Sequence, residues 1–275
     1  MDKGREMIEL FDNEKVEHKR HSSKGNQLKW KRDDIWYKAD YLGYEGLAEV
    51  IVSQLLSHSD LKDDEYVLYT PIRIKAGNAI YNGAESRDFL KPGSQLITLE
   101  RLYKTIYGRS LHEEIFHIHG IENRIEYLVS RVKECTELAD FGTYLNRLLT
   151  IDALFLNEDR HMHNIAVIKK SDGSFDYCPI FDNGGALLSD TSMDYPMNMG
   201  IYEMIPTVKA KTVSDSFDEQ LDASEKLYGY NLKFSFNNSD IEKAVQAADI
   251  YEADIRERVI TVLREQRRKY PYLFE

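Results

Sequence analysis

Three side chains that offer oxygen fall in one short stretch of this chain: Asp159, Asn164 and Asp182. Carboxylate and amide oxygens are hard donors, suited to Mg²⁺ held together with a substrate phosphate. Asp159 stands five residues before Asn164, so the two share a loop. Between Asn164 and Asp182, two alternating apolar runs, Ile165–Lys170 and Phe175–Phe181, flank Ser171-Asp172-Gly173-Ser174. That pattern predicts a β-hairpin with a Gly-containing turn of four residues. A hairpin brings its open ends together, so the spacing predicts that all three oxygen donors gather at one end of a small sheet. A single acidic residue beside a turn usually does no more than cap it. Three in this order point to phosphoryl transfer. His161 and His163 suggest a zinc site as the rival, but His-x-His on a loop lacks a third and fourth ligand at recognisable spacing.

Asp-x-x-x-x-Asn, then a hairpin, then Asp followed by Gly is the order of a protein-kinase catalytic centre. The stretch Asn157-Glu158-Asp159-Arg160-His161-Met162-His163-Asn164 resembles the Asn-x-Asp-x-His-x-x-Asn loop of the HipA-like serine/threonine kinases. A similar Asp-Arg-His-x-x-Asn order occurs in the phosphoinositide 3/4-kinases. The resemblance implies that Asp159 positions the accepting hydroxyl, that Asn164 and Asp182 hold Mg²⁺, and that His161 contributes to the nucleotide site. Asn157-Glu158-Asp159 in place of His-Arg-Asp, and Asp182-Asn183-Gly184 in place of Asp-Phe-Gly, set the chain apart from orthodox eukaryotic kinases.

Other elements must position these residues. His21–Gln27 (HSSKGNQ) is a small-residue turn rich in backbone donors, followed by two strands, Leu28–Lys31 and Ile35–Ala39, split by Asp33-Asp34. A Gly-centred turn between strands can cradle phosphates with its N–H groups. The turn is neither a Walker loop nor Gly-x-Gly-x-x-Gly. The resemblance implies a short Gly-Gln loop here, with Ser23, Gly25 and Gln27 as nucleotide contacts and Ser22 or Ser23 as an autophosphorylation site. Lys38 lies in the second strand, where a kinase carries the lysine that grips the phosphates. After it, apolar residues at 48, 51, 52, 55 and 56 have helical spacing. Glu45 and Glu49, four apart, share one face of that helix. Either could pair with Lys38, and Glu49, one turn deeper, is the choice.

Tyr66–Ile74 and Gly77–Tyr81 read as further strands, completing a small antiparallel sheet with one helix. From Leu96 the texture is helical: Leu96–Tyr107, His112–His119, Ile121–Thr136 and Leu138–Leu156. Asp140-Phe141-Gly142 spells the kinase metal triplet, yet no hairpin precedes it, and it reads as a helix entry. Gly185–Val213 has little periodicity and occupies the place of an activation or substrate-binding segment. Ser239–Ala248 and Tyr251–Lys269 are helical, with Arg256, Arg258, Arg264, Arg267 and Arg268 read as a solvated face.

With 47 acidic against 36 basic residues and a net charge of −11, the chain lacks the basic face that nucleic acid demands. Its two cysteines, Cys135 and Cys178, make no ligand pattern and fit a reducing compartment. The charged N-terminus is unlike a signal peptide, and no run of about 18 apolar residues is present, so the expectation is a cytoplasmic chain with no membrane partner. The whole reads as an α+β, two-lobed protein-kinase-like fold: residues 1–85 form a small antiparallel-sheet N-lobe, and 86–275 a mainly helical C-lobe. The expected activity is ATP- and Mg²⁺-dependent transfer of the γ-phosphoryl group to a protein hydroxyl, with a protein substrate and a cognate or antitoxin-type partner. A lipid or small-molecule kinase of the same fold, and a non-catalytic toxin/antitoxin-type module, are the alternatives.

Overall fold

A computed structural model describes residues 7–16 and 27–274. In chain order its strands are β1 (Met7–Leu10), β2 (Lys29–Arg32), β3 (Ile35–Ala39), β4 (Tyr69–Ala76), β5 (Ala79–Arg87), β6 (Gln95–Thr98), β7 (Ala166–Lys169) and β8 (Phe175–Tyr177). Its helices are α1 (Glu45–Leu56), α2 (Leu99–Tyr107), α3 (Leu111–His117), α4 (Ile121–Thr136), α5 (Phe141–Phe155), α6 (Ile201–Met204), α7 (Phe217–Tyr228), α8 (Asn238–Ala247) and α9 (Ala253–Lys269). Among the described residues no helix is long and apolar enough to cross a membrane.

The chain divides into two compact units, each assembled from separated segments. The first takes the chain up to Asp88, then Phe181–Thr207 and Lys233–Glu275; the second takes Phe89–Ile180 and Val208–Leu232. The sequence places a single cut after residue 85. In the structure the chain leaves the first unit at Asp88 but returns to it twice.

In the first unit a five-stranded sheet runs in the order β1-β4-β5-β3-β2. Four strands are antiparallel, as the alternating runs predict. The fifth, β1, pairs parallel to β4 at the edge, where the sequence offers a polar lead-in over residues 1–20 with a short apolar patch at Ile8–Phe11. Four residues with one buried side chain, Leu10, leave too little alternation to read. One core of this unit gathers Leu10, Trp30, Tyr37, Ala39, Ile72 and Ile74. Helix α1 packs on β3, β4, β5 and α8, so it is buried nearly all round, Glu49 included. Its approach is set by two glycines: a Cβ at Gly46 would lie 2.7 Å from the Gly83 backbone of β5. Gly46→Ala would therefore lift α1 from the sheet. Overpacking of this kind costs about 1–3 kcal/mol, and thermal unfolding of the variant should show a lower midpoint than wild type.

The tail departs most from the expected solvated face at Arg258. Arg258 of α9 is only 5% exposed and donates to the carbonyls of Tyr195 (2.8 Å) and Pro196 (3.2 Å). It ties the irregular segment before α6 to the helix instead of facing solvent. A guanidinium with five N–H donors can satisfy several carbonyls at once, which a run of arginines does not reveal.

In the second unit, Leu96–Thr98 is a strand, not the start of a helix. β6 pairs antiparallel with β7, and β7 with β8. Thr98 ends the strand and caps α2, its side chain accepting from the Arg101 amide, and a cap of this kind fixes where a helix begins. The β7–β8 hairpin lies where the sequence predicts it. Asp140-Phe141-Gly142 opens α5 with Asp140 at the cap position, as a helix entry. Gly142 is required there, because a Cβ would meet the Tyr228 ring of α7 at 2.3 Å. Helix α7 itself is absent from the sequence reading, although Ser216-Phe217-Asp218-Glu219 signals its start. Ser216 accepts from the Glu219 amide at 3.3 Å.

Candidate active site

In the first unit, β3 carries Lys38 opposite Lys29 of β2 and Ala84 of β5. Lys38 is 7% exposed and Glu49 fully buried. The lysine ammonium donates to Glu49 Oε1 and, at 2.8 Å, to Asp182 Oδ1, and lies 5.1 Å from the centre of the Tyr69 ring. The other oxygen of Glu49 accepts from the Asn183 amide at 2.8 Å. One buried carboxylate thus joins β3, α1 and the segment that begins at Asp182. Desolvation opposes the charge on Lys38, but Asp182, and after it Glu49, outweigh that and hold the ammonium well above the ordinary lysine value. Glu45, the other candidate partner, is engaged elsewhere: its carboxylate accepts from the amides of Tyr41, Leu42 and Gly43.

Asp182 has φ +61°, a left-handed conformation that Asp and Asn adopt more readily than other residues with a Cβ. Its carboxylate faces a second cation as well, Lys29 Nζ at 3.9 Å. Gln27 is half-buried two residues before β2, with Nε2 buried and unpartnered among the described residues. Ser22, Ser23 and Gly25, expected around the phosphates, lie outside the described residues.

In the second unit, Asp159 and Asn164 share the loop between α5 and β7. Leu156 ends the helix in the left-handed region, φ +55°, and the loop is then held from beneath by Asp152. The Asp152 carboxylate accepts from Asn157 Nδ2 at 2.9 Å and from Arg160 Nε at 3.2 Å to each oxygen. Arg160 also donates to the Asn164 carbonyl at 3.1 Å, and Asn157 Oδ1 receives the Asp159 amide at 3.3 Å. Asp152 and Arg160 are almost wholly buried, at 0% and 1% exposure. Burial pushes the Asp152 carboxyl up to about 6, against the pull of Arg160 and Asn157.

This bracing leaves Asp159 half-exposed and partly committed. Asn164 Nδ2 donates to its carbonyl (2.8 Å) and to Oδ2 (3.0 Å). Among the described residues no hydrogen bond reaches Oδ1, which has His161 Nε2 at 3.7 Å and Lys211 Nζ at 3.9 Å. A carboxylate oxygen left open in this way can accept a hydroxyl proton. Both donor contacts of the Asn164 amide go to Asp159, so its Oδ1 is the atom left for a hard cation.

The sequence reading missed Asp152, Arg160 and Lys211. Asp152 had a signal, being the one charged residue in Leu148-Leu149-Thr150-Ile151-Asp152-Ala153-Leu154-Phe155, and a lone carboxylate in such a run is buried only with partners. Lys211 had none, because nothing in the sequence ties it to a loop some fifty residues earlier.

Over 96% of its length the chain superimposes on 95% of the crystal structure of a Helicobacter pylori proinflammatory kinase, CtkA, with a TM-score of 0.63 and 16% sequence identity. The chain has a kinase fold. The sequence matches no protein-family model and no curated protein, so the likeness is one of architecture. In the kinase fold seen here, the sheet lysine and its helix glutamate belong to the first unit, and the Asp-x-x-x-x-Asn loop to the second. Among the described residues no cluster of three or more His, Cys, Asp or Glu side chains could hold a metal ion alone. Single oxygen donors such as Asp182 and Asn164 suit Mg²⁺ when phosphates complete its shell.

Proposed function

We propose that this chain is a kinase that uses Mg²⁺ and ATP to phosphorylate a serine or threonine hydroxyl on a protein. The observation that carries the reading is the buried lysine of β3, which bridges Glu49 of α1 and Asp182. Three elements far apart in sequence converge on one ammonium group. A purely structural lysine would not need burial against two carboxylates, because burying charges costs more than an apolar substitute would.

In this reading Lys38 binds the ATP phosphates, and Glu49 keeps its ammonium in place. Asp182 in the first unit and Asn164 in the second are the residues that would offer oxygens to Mg²⁺, which when bound would neutralise phosphate charge. Gln27 Nε2 is a further donor for phosphate. Asp159 accepts the proton of the incoming hydroxyl at Oδ1 as its oxygen attacks the γ-phosphorus. The bond to the bridging oxygen breaks, and ADP departs with the electron pair. Positioning and charge supply most of the acceleration, since the protein forms no covalent intermediate. A protein acceptor is favoured by the irregular stretch before α6, where Met193, Met197 and Met199 are exposed. Unbranched thioether side chains adapt to varied peptide surfaces.

Asp182→Asn tests the reading. Asn suits the left-handed backbone at this position at least as well as Asp, so the variant removes charge and little else. Calorimetric titration should show Mg·ATP affinity reduced by about tenfold or more, as expected for a lost charged contact of at least ~1.4 kcal/mol. Unchanged Mg²⁺-dependent affinity would take Asp182 out of the site.

A further inference from the structure

Phosphoryl transfer gains from a positive charge beside the acceptor carboxylate, because three phosphoryl oxygens carry the charge of the transition state. The Asp159 loop cannot supply one from its own backbone run. Arg160 is turned inward on Asp152, Met162 is buried, and His161 carries a charge only when protonated. The ammonium that does face Oδ1 of Asp159 arrives from a distant segment, on Lys211.

That segment is fixed to the loop, not draped over it. Thr212 is fully buried, and its hydroxyl donates to the Arg160 carbonyl at 2.6 Å. Arg124 donates to the Val213 carbonyl at 2.9 Å, and Gln220 Oε1 accepts from the Val213 amide at 3.4 Å. The Ala210 amide closes a turn on the Asp215 carbonyl at 3.1 Å. The backbone on both sides of Lys211 is therefore pinned, while its side chain is 40% exposed. A separation of 3.9 Å from Oδ1 is too long for a hydrogen bond. It leaves Oδ1 open to a hydroxyl, with a cation at its side.

We propose that Lys211 is a further catalytic residue of the phosphoryl transfer, its ammonium contacting the transferring group beside Asp159 and offsetting the charge that develops there. This rests on the kinase reading above. The chemical step is unchanged: the acceptor oxygen bonds to the γ-phosphorus, its proton passes to Asp159, and ADP leaves. Lys211 holds its own proton throughout and acts by charge.

The test uses the full chain, γ-labelled ATP and a degenerate serine/threonine peptide library. Lys211→Met should lower kcat by about 100–1,000-fold, the range for loss of one preorganised electrostatic contact. Mg·ATP affinity and the unfolding midpoint should stay near wild type, because the contact is made chiefly in the transition state. Lys211→Arg keeps the charge and should restore part of the rate. Lys209→Met, whose lysine pairs with Asp215 at 3.2 Å on the surface, should behave as wild type. Wild-type kcat in Lys211→Met overturns the proposal, as does a loss of nucleotide binding or stability that Lys211→Arg fails to correct. Asp159→Asn separates this from the reading beneath it. An inactive Asp159→Asn beside a fully active Lys211→Met removes Lys211 and leaves the kinase reading standing. A wild-type chain that transfers no phosphate removes both.

Discussion

Asp159→Asn should abolish phosphoryl transfer while leaving Mg·ATP binding close to wild type. The substitution preserves size and the Asn164 contacts at the backbone carbonyl, but removes the oxygen able to take a proton. General-base assistance is worth about 10²–10⁴-fold in rate, roughly 3–5 kcal/mol of barrier. The interaction lost is made mainly in the transition state, so the effect falls on kcat and not on nucleotide affinity. Asp182→Asn should instead lose binding and transfer together, and the contrast separates a role at the acceptor from one at the metal. Rapid single-turnover measurements with γ-labelled ATP, beside calorimetry, read both quantities. A rate near wild type for Asp159→Asn would end the catalytic assignment.

The second large effect concerns stability. Arg160→Ala removes one half of a buried ion pair and, among the described residues, leaves the Asp152 carboxyl with only the Asn157 amide as side-chain donor. Breaking such a pair costs about 3–5 kcal/mol, equivalent to roughly 6–20 °C in the unfolding midpoint for a chain of this size. The loss should depend on pH. Because burial already raises the Asp152 pKa to about 6, the folded state holds its proton more tightly than the unfolded chain does. Where the folded form binds more protons, stability falls as pH rises. In wild type that fall lies between the ordinary aspartate value and about 6. Without Arg160 it continues above 6, so the variant should suffer least in acid. Asp152→Leu combined with Arg160→Leu should recover much of the midpoint, since an apolar pair of similar volume is often neutral or better. It should not recover transfer, because the loop would lose the ties at Asn157 and Asn164. A single variant as stable as wild type at neutral pH would show that the pair does not brace the loop.

What the sequence makes legible is what can be specified locally. The β7–β8 hairpin, the lysine of β3 and the α1 glutamates follow from alternation, turn chemistry and helical spacing over a few residues each. Asp140-Phe141-Gly142 could be set aside because no hairpin precedes it. Glu49 could be preferred to Glu45 but not separated from it, since the decision lies with three backbone amides at Tyr41, Leu42 and Gly43 that claim Glu45. Leu96–Thr98 misled because three residues cannot distinguish helical from strand spacing, and pairing with β7 settles the matter. β1 depends in the same way on a partner more than sixty residues away. Lys211 and Arg258 are set by tertiary contacts alone. Each is a cation among other charged residues, with nothing in its neighbours to reveal where it points.

The segmental make-up of the first unit has a consequence for the order in which the protein matures. Its sheet and α1 are complete in the nascent chain long before α8, which packs against α1, has been made. At about 5–20 residues per second, the interval between Asp88 and the end of α8 at Ala247 is roughly eight to thirty seconds. For that time α1, which is buried nearly all round in the folded chain, lacks one of its covers. The long stretch of the second unit, Phe89–Ile180, is translated within the same interval and can form contacts of its own. The lysine site therefore matures late, although its lysine is made early. Exposed apolar surface on a nascent chain is what chaperones bind and what aggregates, so synthesis stalled before α8 should leave the first unit more sensitive to protease than the second.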